Sequence, residues 1–250
     1  MSRTNYADYL QLDVLLAAQK PLSEHPDELH FIIVHQVHEL WFKLALHHME
    51  RACDALERDN PLDATRLIEQ IIGIFENLRV TVEHLHTLPP MAFHRFRELL
   101  APGSGMQSYQ FRELEFLAGL RGEQHINWTK KQLATSEHWE RVHERLNDPS
   151  LNDLFMDALE RREIPDIATL YEHPSKNAEL YLLADAMSSL DHRVLTWRHS
   201  HIQLVERTIG AGVMGTGGTT HEYLQKTLLT PLFPELWEAR NILTRRIGIG

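Results

Sequence analysis

Apolar residues recur at helical spacing along nearly the whole chain, and no run alternates apolar with polar positions between turn signals as a half-buried strand would. That single feature predicts an all-α fold. Helices are expected at about 6–19, 28–57, 62–87, 107–121, 129–146, 150–162, 176–209 and 220–229, with a shorter one near 234–245. Asn60-Pro61 and Pro89-Pro90 read as helix stops, and Asp148-Pro149-Ser150 as a stop followed by a cap. A chain of 250 residues with 43% hydrophobic content can bury one sizeable core. Neither a repeat nor a linker divides it, so a single helical domain over 1–250 is expected.

Charge and cysteine usage narrow the function. The formal net charge is −10, with 35 acidic against 25 scattered basic residues, which argues against nucleic acid as the main partner. Cys53 stands alone, so neither an internal disulfide nor a cysteine zinc cluster can form, and a reducing compartment fits. No stretch reaches the roughly 18 consecutive apolar residues of a membrane span, and 1-MSRTNYADYLQLD-13 has no apolar signal core. A soluble, cytoplasmic protein is the expectation. Seventeen histidines are the unusual entry in the composition, because so many neutral imidazoles raise the chance that some bind metal.

Two of those histidines sit on helical faces where imidazole is costly to leave unsatisfied. In 31-FIIVHQVHELWFK-43, His35 shares a face with Phe31, Ile32, His38, Glu39 and Phe42. Alone it reads as a hydrogen-bonded core histidine, with His38 and Glu39 as partners or an exposed edge. In 194-VLTWRHSHIQLVERTIG-210, His201 shares an almost wholly apolar face with Val194, Trp197, Leu204, Val205 and Thr208, while His199 points away. A hydrogen bond would satisfy His201. So would a metal, and if that metal sat in a flat macrocycle the apolar neighbours, Trp197 among them, would be its walls.

Other metal schemes fit less well. Glu140-x-x-His143 is one copy of a motif that a di-iron bundle needs twice, and neither Cys-x-x-Cys-His nor His-Glu-x-x-His occurs. Any haem must therefore be held noncovalently. Two connectors, 101-APGSGMQS-108 and 210-GAGVMGTGGTT-220, are richer in glycine and hydroxyls than a helix–helix turn requires; they are plain connectors or places where backbone N–H groups approach a ligand.

Taken together, 6-YADYLQLDVLLAAQ-19, 31-FIIVHQVHELWFK-43, 93-FHRFRELLAPGSGMQSYQFRELEFL-117, 197-WRHSHIQLVERTIG-210, 215-GTGGTTHEYL-224 and 233-FPELWEAR-240 resemble, in that order, the tryptophan 2,3-dioxygenase family of helical haem enzymes. The resemblance covers most of the chain. It implies one haem b per subunit with His201 as the iron ligand, Ser104 near the haem edge and Trp197 in the cofactor wall. It implies that His35 accepts the indole N–H, with Phe31 on the pocket side, that Arg97 clamps the amino-acid carboxylate with Phe93 one turn before it, and that Thr216 meets the ammonium and carboxylate. Tyr6 and Tyr9 resemble tyrosines contributed by a neighbouring subunit, so residues 1–20 are expected to pack across a homotetramer.

The implied reaction is oxidation of L-tryptophan by O2, cleaving the indole C2–C3 bond to give N-formylkynurenine. Several positions depart from the family pattern: Met106 replaces a usual phenylalanine, Thr219, Thr220 and His221 replace Ser-Ser-Gly, His86 replaces a glutamate, and the segment after Pro165 is short. These leave two alternatives open, a haem monooxygenase acting on a tryptophan derivative to give an oxindole-type product, and a non-catalytic haem sensor.

Overall fold

The computed structural model describes residues 5–133, 137–218 and 220–248, with the backbone alone for His221. Its helices are α1 (Tyr6–Leu10), α2 (Leu12–Leu16), α3 (Glu28–Glu57), α4 (Pro61–His84), α5 (Pro90–Leu100), α6 (Tyr109–Ala118), α7 (Glu123–Leu133), α8 (Glu137–Glu144), α9 (Leu151–Arg161), α10 (Ile167–Glu172), α11 (Ala178–Ile209), α12 (His221–Thr227) and α13 (Pro234–Arg246). Among the described residues there is no strand, and no helix is long and apolar enough to cross a membrane.

The long elements follow from unbroken periodicity. α3 runs through thirty residues free of glycine and proline, and Asn60 then accepts a hydrogen bond from the Asp63 N–H while Pro61 occupies the first turn of α4, where its missing N–H costs nothing. Two predicted spans and two omissions need correction. The 6–19 helix is broken at Gln11, whose φ of 50° is left-handed. The helix expected at 129–146 starts earlier, at Glu123 in α7, and α8 covers Glu137–Glu144, with residues 134–136 outside those described. α5 is absent from the helices expected from periodicity, although setting Phe93 one turn before Arg97 takes that stretch as helical: Pro89-Pro90 does end the preceding segment, but Pro90 also opens a new helix. The short α10 was missed too; its signal is Asp166, whose side chain accepts from the Thr169 N–H.

α3, α4 and α11 form the centre. Phe42 and Phe75 both meet Trp197, whereas Val34 and Val82 cluster with Leu204, so α3 runs against α11 and α4 runs alongside it. Leu67, Ile68, Ile71, Leu78, Met187 and Leu190 fill the interface with no exposed surface. α6 and α9 close the other side of α3 through Phe111, Leu114, Phe155 and Ala158.

One buried carboxylate fixes the C-terminal end. Asp191 of α11 is fully buried, and it accepts from the Leu232 N–H at 2.6 Å, the Phe233 N–H at 3.1 Å and the Trp237 indole N–H at 2.9 Å. The first turn of α13 is thereby tied to α11. Asp191→Ala leaves two buried backbone N–H groups and the partly exposed Trp237 indole N–H unpaired, and urea denaturation should show a loss of about 3–5 kcal/mol. A loss below about 1 kcal/mol would mean that the anchor is dispensable.

Candidate active site

A large open-mouthed cavity lies between α3, α5, α6, α11 and α12, with about 1980 Å³ of space unfilled by protein, its mouth included. His35, Arg97, Ser104, Trp197, His201 and Thr216 all line it. Residues from both halves of the sequence are thus brought to one place by the antiparallel crossing of α3 and α11.

The wall supplied by α3 and α5 is aromatic. Phe31 stacks against His35 with ring centroids 4.1 Å apart and meets Phe93 at 5.5 Å, while Phe96, fully buried, braces both phenylalanines from α5. The His35 Nδ1–H donates to the Phe31 carbonyl at 2.7 Å. A carbonyl can only accept, so Nδ1 carries the proton and Nε2 keeps a free lone pair. Burial lowers the pKa of His35 and keeps it neutral, although its accessible ring surface is cavity wall. Three residues on, His38 repeats the arrangement: Nδ1 donates to the Val34 carbonyl at 2.8 Å, and burial lowers its pKa to about 4. His38 is therefore buried rather than an exposed edge. Glu39 holds a neighbour, as expected, and the neighbour is Gln110, whose amide donates to both the Glu39 carbonyl and its carboxylate at 2.9 Å.

The opposite wall is α11. His201 projects from the face formed with Trp197, Leu204, Val205 and Thr208, all of which line the cavity. Among the described residues its imidazole has no hydrogen-bond partner, and the buried Nε2 of His38 in the same lining is unpaired as well. Burial, helped by the nearby imidazoles of His35 and His38, lowers the pKa of His201 to about 4. A neutral, unpaired imidazole facing an apolar space is the donor that a metal in a macrocycle requires.

The two glycine-rich connectors turn out to be cavity walls that touch each other. Arg97 donates to the Met214 carbonyl at 2.9 Å, and the Thr216 hydroxyl donates to the Gly103 carbonyl at 2.8 Å. A Cβ on Gly217 would stand 2.3 Å from Ser104 Cβ, so only glycine permits this approach. Met106 lines the cavity beside Ser104. Thr219 and the His221 side chain, singled out in the sequence, lie outside the described residues.

Sequence reasoning missed a buried charged group at the foot of α11. Every residue of α6 after Tyr109 is buried, including Arg112 and Glu115, and Arg198 of α11 is buried beside them. Arg198 donates to Glu115 Oε1 at 2.8 Å, while Arg112 Nη1 lies 2.8 Å and His125 Nε2 2.9 Å from Oε2. Burial pushes the Glu115 carboxyl up, but Arg112, His125 and Arg198 outweigh it and hold the pKa at about 2. The only signal was three charges, Arg112, Glu113 and Glu115, set among apolar residues, which a solvated helix would carry equally well. Tyr6 and Tyr9 are 76% exposed and line no part of this chain's cavity.

A family model described as tryptophan 2,3-dioxygenase matches residues 1–167 and 165–243, two stretches that meet where the sequence suggests a shortened segment. Among similar curated proteins, the tryptophan 2,3-dioxygenase of a Bradyrhizobium species is 37% identical over 95% of this chain and 92% of its own length. That of Caulobacter vibrioides is 36% identical over 95% of this chain and 98% of its own. That of Bacillus thuringiensis is 34% identical over 95% and 92%.

The contact between the two connectors is testable. Gly217→Ala should force the 210–218 segment away from Ser104, costing about 1–3 kcal/mol of stability and exposing that segment to proteolytic nicking. Unchanged stability and protease resistance would contradict the packing described.

Proposed function

The chain belongs to the tryptophan 2,3-dioxygenase family, and from that membership we propose that it uses haem b and O2 to oxidise L-tryptophan, opening the indole C2–C3 bond to give N-formylkynurenine. One observation carries the reading: a single cavity gathers an unpaired neutral imidazole, a second imidazole with a free lone pair, an arginine and a hydroxyl-bearing loop. The residues fit the cofactor. His201 would hold the iron from α11, Trp197 one turn before it would form part of the macrocycle's wall, and Ser104 would lie at its edge. When bound, the haem supplies the redox-active iron that activates O2.

The protein's own groups bind and orient the substrate. His35 Nε2 accepts the indole N–H, because Nδ1 is already committed to the Phe31 carbonyl. Phe31 and Phe93 offer aromatic surface to the indole ring. Arg97 gives one N–H to Met214 and retains donors for a two-point grip on the amino-acid carboxylate. The Thr216 hydroxyl, now on Gly103, exchanges that carbonyl for the substrate's ammonium and carboxylate as the loop settles over it. Closure excludes water and holds the ring for attack across C2 and C3.

The same reading takes residues 1–250 as one haem-binding domain in a cytoplasmic homotetramer, with residues 1–20 packing on a neighbour and Tyr6 and Tyr9 entering its pocket. Supporting it, Tyr6 and Tyr9 are exposed together with Val14 at 68% and Leu16 at 71%, an apolar strip without cover in one subunit.

Turnover of L-tryptophan by the reduced, haem-loaded chain under ¹⁸O₂ tests the reaction. Mass spectrometry should find N-formylkynurenine carrying two labelled oxygens. A singly oxygenated, oxindole-type product would make the protein a monooxygenase, and bound haem with no product from any indole amino acid would make it a sensor.

A further inference from the structure

The cavity is positively charged in an acidic protein. The chain has a formal net charge of −10, yet the cavity is lined by Arg97, Arg112, Arg198 and Lys226 against only two carboxylates, Glu39 and Glu115. Arg97 stands at the substrate loop and Lys226 is exposed, so the buried part of the excess belongs to α6 and α11. There, two guanidinium groups share one carboxylate.

The two arginines are not equivalent. Arg198 is tied down on several sides: besides Glu115, it donates to the Thr227 and Thr230 carbonyls at 2.9 and 2.7 Å, joining α6 and α11 to the end of α12. Arg112 is not. It is 6% exposed, its one carboxylate contact is Glu115, and its Nε–H is buried without a partner. Its guanidinium carbon lies 4.7 Å from the Phe111 ring centroid and 5.3 Å from that of Trp128, cation–π contacts that brace the group without using its donors. A buried cation with an unused donor is costly unless an anion arrives to meet it.

We infer that Arg112, braced by Phe111, Trp128 and the Glu115–Arg198 pair, is a carboxylate-binding site in the cavity wall, and that it takes one propionate of the haem. The inference rests on the haem reading above. A planar, pre-oriented arginine suits a carboxylate through paired hydrogen bonds, and the site lies on the α11 side of the cavity with His201, three residues beyond Arg198. The substrate also brings a carboxylate, so the two sources must be separated by experiment.

Release of haem from the loaded full chain to an excess of a haem-scavenging protein reads the first source. The unmodified chain should release iron protoporphyrin dimethyl ester, whose carboxylates are blocked, about tenfold faster or more than haem. Arg112→Gln should release both at the faster rate, and Arg112→Lys should fall between. Optical titration with L-tryptophan reads the second source and should change by less than about twofold in Arg112→Gln. If the variant keeps haem normally but loses tryptophan affinity, the site holds the substrate's carboxylate and the propionate assignment is overturned. If neither changes, there is no carboxylate site. Should the variant not fold, the ester comparison on the unmodified chain decides alone: equal release of ester and acid overturns the proposal. Failure of the unmodified chain to bind any haem would instead overturn the haem reading itself.

Discussion

Trp197 sets the distance between the two halves of the site. Its indole is met edge-on by Phe42 of α3, Phe75 of α4 and Phe111 of α6, with centroids between 5.1 and 5.8 Å. Four helices therefore converge on one side chain, and each such aromatic contact contributes about 0.5–1.5 kcal/mol beyond the area it buries. One turn further along α11 stands His201, and two turns before Phe42 on α3 stands His35. Because the junction is rigid and close-packed, the imidazoles are held facing the same cavity rather than collapsing on one another. The cavity survives for that reason: the helices are propped apart by packing below it, and the histidines are neutral, so that neither repulsion nor a hydrogen bond between them reshapes the space.

Polar groups are distributed with equal economy. Arg97 and Thr216 sit where α5 and the loop after α11 meet, and their present partners are backbone carbonyls that a ligand can replace. Arg112, Glu115 and Arg198 lie against the apolar wall of α6, where a lone charge would be untenable and a shared carboxylate makes the pair of cations bearable. Between these two polar ends the surface is aromatic and aliphatic. An amphipathic flat cofactor and a zwitterionic aromatic amino acid have that same division of character, which supports the proposal that one cavity takes both.

Much of this was legible in the sequence, and the exceptions have physical causes. α3 was read with its observed limits because thirty residues without a breaker leave the 3.6-residue period undisturbed, and the faces of His35 and His201 followed from that period. α5 was left out of the periodic helices because proline was read only as a stop, although it serves equally well in a first helical turn and Ala92, Phe93, Phe96, Leu99 and Leu100 recur at helical spacing behind it. The break at Gln11 required a left-handed residue that nothing in its side chain announces. The contact of Gly217 with Ser104 joins two connectors more than a hundred residues apart, and glycine content alone could not say that they touch. Arg112 and Glu115 were invisible for a different reason: burial of a charge is a property of what surrounds it, not of its spacing.

The account stands on coordination of porphyrin iron by the imidazole of His201. Purified chain should carry haem with a strong absorption band characteristic of histidine ligation, and His201→Ala should lose most of the pigment or shift that band, with added imidazole restoring it. Unaltered haem content and an unaltered spectrum in the alanine variant would contradict the account at its root.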